Sequence, residues 1–216
     1  MSTNALALDS VRRALKSRIG NLTDELMDQE LRWTLQEFLS FTQVWRHVET
    51  VNLIQGQTDY QIQLNVVNPA FVAQTILGAW NDKSPLTLAV DLAAELSRIN
   101  AGTGEPARVE LAGGTHLRVS PAPAQSGGNV YALLAMTADP SLPLTEIPSP
   151  ALPYTDALVS GTLGRLHAMD AKPWSNALLV RFHVARFHSI MSSARAAAKA
   201  GRSNRNAPWR FPRFGA

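Results

Sequence analysis

The hydrophobic period of this chain changes twice, and no other feature limits its fold as much. From residue 4 to about 45 apolar side chains recur at helical spacing. Leu6, Val11, Leu15 and Ile19 mark one helix. Leu26, Leu31, Leu35, Phe38 and Leu39 mark a second, with Thr23 as its N-cap and Asp24 and Glu25 in its first turn. From His47 the period drops to two. "HVETVNLIQGQTDYQIQLN" alternates apolar and polar residues around Gly56-Gln57-Thr58, where a hairpin turn is expected. "VAQTILGAW", "ARVELAG", "THLRVS" and "VYALLAMTA" read as further strands, separated by Asn-Asp and Gly-rich turns. "VDLAAELSRIN" fits either a short helix or a strand. After five prolines between 140 and 153 the helical period returns. Such a chain is α+β. The expected arrangement is a helical bundle from residues 1–45 and 154–201, an antiparallel β unit over 46–139, a Pro-rich connector over 140–153 and an arm over 202–216.

The last helix is unusual. Residue 172 precedes Pro173 and is pushed out of helical geometry, so a helix from about Thr155 ends there and Ser175 is expected to cap the next, which runs to about Gly201. On a wheel, Leu178, Phe182, Ala185 and Ala196 fall on one side. Val180, Val184, Phe187, Met191 and Ala194 fall on roughly the opposite side. Arg181, His188, Arg195 and Arg202 recur every seven residues as a basic seam between them. A lone surface helix needs one apolar stripe and this one has two. Either it is a central helix of the monomer or one stripe serves a neighbouring copy; Val180, Val184, Phe187 and Met191 are assigned to that inter-subunit face.

Charge is uneven. Residues 161–216 hold ten Lys and Arg against a single acid, Asp170, whereas residues 1–160 hold ten against sixteen acids. A basic end on an acidic body suits nucleic acid, an acidic protein surface, or pairing between copies. In the arm, Trp209, Phe211 and Phe214 alternate with Arg210 and Arg213 behind Arg205, with Pro208 and Pro212 as stiffeners. These residue types anchor protein interfaces. They also stack on single-stranded nucleic acid.

Several chemistries lose their parts list. The chain has no cysteine, which removes disulfides, thiolate metal sites and a Cys nucleophile. His183 and His188 are five apart, not the four of a zinc-binding helical pair, and no acid lies between them. There is no GxSxG elbow and no phosphate-binding Walker loop. Asp24, Glu25, Asp28 and Glu30 read as a solvated helical face. No apolar run approaches the roughly 20 residues of a membrane helix, and "MSTNALALDSVRRALKSRIG" reads as a mature start. The expectation is a protein that is not an enzyme, with neither cofactor nor metal.

The run "AL…GTLGRLHAMDAKPW" followed by "F…ARA.A..G", together with "LTDELMDQELRWTLQEFLSFTQVWR" and "Y.I.L", is similar to head-to-tail adaptor (connector) proteins of tailed bacteriophages. The likeness is closest over residues 154–201. It implies a structural virion protein that forms a ring, usually a dodecamer of identical subunits, beneath the portal protein. Such a ring extends the DNA channel without sequence-specific contact to the genome, touches no membrane, and presents a platform for a downstream tail or nozzle protein. It is assembled in the host cytoplasm and resides at the head-to-tail interface. By that resemblance Arg205, Trp209, Arg210, Phe211, Arg213 and Phe214 form a portal-docking arm. The alternative is a nucleic-acid-binding module that uses the basic C-terminal tail.

Overall fold

The computed structural model describes residues 3–63, 70–88 and 103–203. Among them are four α-helices, antiparallel sheets and one 3-10 turn, an α+β architecture. The candidate segment "VDLAAELSRIN" and the aromatic residues of the arm lie outside the described residues.

Helix α2 (Asp24–Thr42) occupies the position given by its apolar spacing, whereas α1 (Thr3–Lys16) ends before Ile19 and leaves Leu6 half exposed. Leu8, Val11 and Leu15 of α1, and Met27, Leu31, Leu35, Phe38 and Leu39 of α2, are buried in one core. Thr23 is the N-cap residue of α2 in extended geometry, though its side chain makes no capping bond. The helix stops at Gln43, which turns to φ 53° and donates its N–H to Leu39 O. A left-handed residue at this point satisfies a terminal carbonyl and turns the chain.

Three strands make the first sheet: β1 (Arg46–Asn52), β9 (Asn129–Ala138) and β3 (Phe71–Asn81), in the order β1-β9-β3 and all antiparallel. A second sheet has the order β2-β7-β6-β4, from Asp59–Gln61, His116–Ser120, Arg108–Ala112 and Thr87–Leu88. β5 (Thr103–Gly104) and β8 (Ala122–Pro123) form a short parallel pair. A second core lies between the sheets, with Tyr60, Ile62, Val109, Leu117, Val119, Val130, Ala132 and Leu134 inside. Trp45 packs against both cores.

The expected hairpin around Gly56 does not form. β1 pairs with β9 and β2 pairs with β7, so the turn carries the chain from one sheet to the other. Gly56 adopts φ 75° and donates its N–H to Pro123 O. Alternation specifies which face of a strand is buried, not which strand lies beside it.

The proline-rich segment is packed rather than solvated. Leu144, Ile147 and Ala151 enter the helical core. Arg32 Nη1 donates to Leu142 O at 3.1 Å, and Ile147 N–H to Asn4 O at 3.4 Å. A 3-10 turn (Ser149–Tyr154) leads into α3 (Thr155–His167), of which ten residues from Ala157 to His167 are buried. A helix hidden all round is a central one, and its sequence, "ALVSGTLGRLH", shows how. At Gly161 an added Cβ would lie 2.5 Å from Thr34 Cγ2 of α2 and 3.0 Å from the Phe187 ring. At Gly164 it would lie 3.1 Å from Val184 Cγ2. Two missing side chains let α2 and the last helix, α4 (Ala177–Ser203), close on α3 from two directions. α4 begins on Asn176, whose Oδ1 accepts the N–H groups of Leu178 and Leu179 at 3.0 and 3.2 Å. Asn176 therefore performs the cap that the sequence assigned to Ser175.

Candidate functional site

The features that point outward are concentrated on α4 and on the first sheet. α4 has 27 residues and is about 40 Å long at 1.5 Å per residue. One stripe of it is buried: His183, Phe187, Met191 and Ala194, with Val180, Ile190 and Ala198 half-buried beside them. Phe187 is 3% exposed, with its ring 6.5 Å from that of Phe38. Val184 lies over Gly164 and remains 37% exposed.

These positions correct the expected inter-subunit face. Phe187 and Met191 are consumed by the subunit's own core, and Val180 and Val184 border it, because the glycines of α3 draw that side of α4 inward. The opposite row is the one left in solvent. Leu178 is 77% and Phe182 57% exposed, and Ala185, Ser189 and Ala196 continue the row to the far end. Two large apolar side chains one helical turn apart, both mostly in water, are an unfinished surface.

The basic seam divides. Arg181 and His188 are exposed. Arg195 lies with its guanidinium carbon 4.6 Å from the centroid of the Phe41 ring, a cation–π contact that covers an otherwise open aromatic on α2. Arg186, off the seam, pairs with Asp156 at 3.3 Å. The side chain of Arg202 lies outside the described residues, as do Arg205, Trp209, Arg210, Phe211, Arg213 and Phe214.

Polar groups near α4 serve the corner where it meets α3. His167 and His183 stack with ring centroids 5.7 Å apart and planes 14° from parallel. His167 Nδ1 lies 2.7 Å from Trp174 O. His183 Nδ1 is buried without a hydrogen-bond partner. Burial, then the nearby His167, Arg18 and Arg186, push the His183 pKa below its ordinary value and hold its ring neutral. His183 and His188 do not converge: the first is inside and the second outside.

The acids of α2 are mostly paired rather than a free solvated face. Asp28 accepts both Arg12 Nε and Nη2, at 2.8 and 2.7 Å. Asp24 meets Lys16 at 2.5 Å, and Arg165 of α3 reaches Glu37 at 3.0 Å and Glu30 at 3.8 Å. These bonds clamp α1, α2 and α3. Among the described residues no group of three or more His, Asp or Glu side chains could hold a metal ion, and no helix is long and apolar enough to cross a membrane.

A second outward face escaped the sequence reading. On the side of the first sheet away from the β core, register places Val48, Leu133 and Gly78 in one row and Thr50, Tyr131 and Trp80 in the next. Val48 is 48% and Trp80 38% exposed. The Trp80 and Tyr131 rings stack 5.9 Å apart, and Asp82 accepts the Tyr131 hydroxyl at 3.2 Å. At Gly78 there is open space where a Cβ would be. The signal was present in "VAQTILGAW" and "VYALLAMTA", whose two alternating sets are both mostly apolar. A strand with no polar side expects cover on both faces.

The unusual features of this chain are therefore faces, and they define a structural subunit built to meet other polypeptides. It matches the family model described as SU10 adaptor protein over residues 3–212 and belongs to that family. Membership makes it a bacteriophage structural protein of tail assembly, with a place in the virion beside portal and tail proteins. No curated protein matches the chain.

Proposed function

We propose that the protein is the head-to-tail adaptor of a tailed phage. Copies form a closed ring, dodecameric by analogy, seated beneath the portal. The ring continues the DNA channel, lets the genome pass without reading its sequence, and offers its far side to the next tail component. The arm over residues 202–216, with Trp209, Phe211 and Phe214 set between arginines, fastens each copy to the portal. The observation that carries this reading is the family match across residues 3–212. The half-exposed helix α4 supports it, because a helix with Leu178 and Phe182 in water is suited to a larger assembly.

Electron microscopy of the protein mixed with its cognate portal is the test. A ring attached to the portal is expected. Deleting residues 204–216 should abolish attachment while the circular dichroism spectrum stays unchanged. Attachment that survives the deletion overturns the role of the arm, and the absence of any ring overturns the adaptor reading.

A further inference from the structure

Two apolar faces lack a partner among the described residues, and they differ in kind: one is a helix row, the other a sheet surface. They also lie far apart. Arg46, which opens β1 on the same outer side as Val48, donates to Ala198 O near the end of α4. Leu178 is twenty residues earlier on that helix, about 30 Å along its axis at 1.5 Å per residue. The two faces therefore sit toward opposite ends of one molecule.

Their charges are opposite. Arg181 adjoins Phe182 and is exposed, and Lys172 precedes the helix. Asp82 stands beside the Trp80–Tyr131 stack, and residues 46–139 hold eight acids against five basic residues. Gly78 leaves the β3 edge of the sheet surface shallow, so that a helix can approach it closely there. Like faces would give a self-complementary pair of copies. Unlike faces at opposite ends give a head-to-tail contact, which closes into a ring when the rotation per copy divides a full turn.

We propose that the Leu178–Phe182 row of α4 in one copy lies on the Val48, Trp80 and Tyr131 surface of the next copy, with Arg181 directed at Asp82. The occupant of both faces is thus a second copy of this chain. The inference rests on the ring reading above and names the contact that would build the ring.

The chain has no cysteine, so it adds no thiol of its own to the introduced pair. Val48→Cys and Ala185→Cys are combined in one chain, the protein is bound to the portal, and the complex is oxidised. A ladder of covalent multimers on a non-reducing gel is expected from the double variant and none from either single variant. Phe182→Ser should stop ring formation while leaving the unfolding midpoint unchanged. Rings visible by electron microscopy without a ladder overturn this contact and leave the adaptor reading standing. A dimer from Ala185→Cys alone also overturns it, because the helix would then meet a copy of itself. If the unaltered protein forms no ring on the portal, both readings fall.

Discussion

Replacing Gly161 by Ala tests the packing on which the rest depends. Taken as an isolated helix change it should help, since Ala is favoured over Gly in a helix interior by about 0.5–1 kcal/mol. The tertiary structure predicts the opposite sign. The new methyl would sit 2.5 Å from Thr34 Cγ2 and 3.0 Å from two carbons of the Phe187 ring, whereas carbon atoms prefer about 3.5–4 Å. Neither wall yields easily. Thr34 is fully buried, and its hydroxyl is tied to Glu30 O at 2.8 Å. Phe187 is wedged between α2 and α3. Overpacking of this kind costs about 1–3 kcal/mol. With that cost at about 2 kcal/mol, less the helix gain of about 0.5–1 kcal/mol, the net loss is about 1–1.5 kcal/mol, a fall in Tm of about 2–6 °C for a chain of this size. Gly164→Ala is the control. Its methyl would meet Val184 Cγ2 at 3.1 Å, but Val184 is partly exposed and can turn away, so the change should be near neutral. Urea unfolding of both variants, and of Gly161→Ala combined with Thr34→Ser, provides the measurement. Serine keeps the bond to Glu30 O and removes the offending methyl, so the double-mutant cycle should recover part of the loss. A Gly161→Ala protein as stable as the original refutes the claim that close approach at α3 sets the position of α4.

Three further outcomes follow from particular contacts. Phe187→Ala should cost about 3–5 kcal/mol and Phe182→Ala less than about 0.5 kcal/mol, as read by urea midpoints; similar losses would mean that the inward and outward sides of α4 are misassigned. The lowered pKa of His183 means that the folded state binds fewer protons than the unfolded one, so its contribution is intact above the ordinary value of 6.5 and declines as the pH falls below it. The stability difference between wild type and His183→Gln should therefore change with pH below about 6.5, and a difference that stays flat from pH 7.5 to 5 contradicts a buried, neutral His183. Asp28→Asn should cost about 1 kcal/mol by loosening the two-bond clamp from Arg12, a figure kept low because both side chains are about 30% exposed; coupling of zero in a cycle with Arg12→Ala would show the clamp to be idle.

The sequence by itself determined the elements. Apolar spacing placed α1, α2 and α4 near their ends, the start at Thr155 and the break before Pro173 bracketed α3, and alternation placed the main strands. These are local properties, since a helix or strand must turn its apolar residues to one side within a few turns. The sequence also carried the family, through runs such as "GTLGRLHAMDAKPW". Partnership between distant segments was decided only by tertiary structure. Nothing local distinguishes β9 from β2 as the neighbour of β1, because backbone hydrogen bonds are the same whichever strand supplies them. Nor could the wheel of α4 say which of its two apolar sides faces inward. That choice was made by Gly161 and Gly164 on another helix, which left room for Phe187 and Val184 and turned Leu178 and Phe182 out. Burial depends on what the rest of the chain brings to a surface, and a single helix does not carry that information.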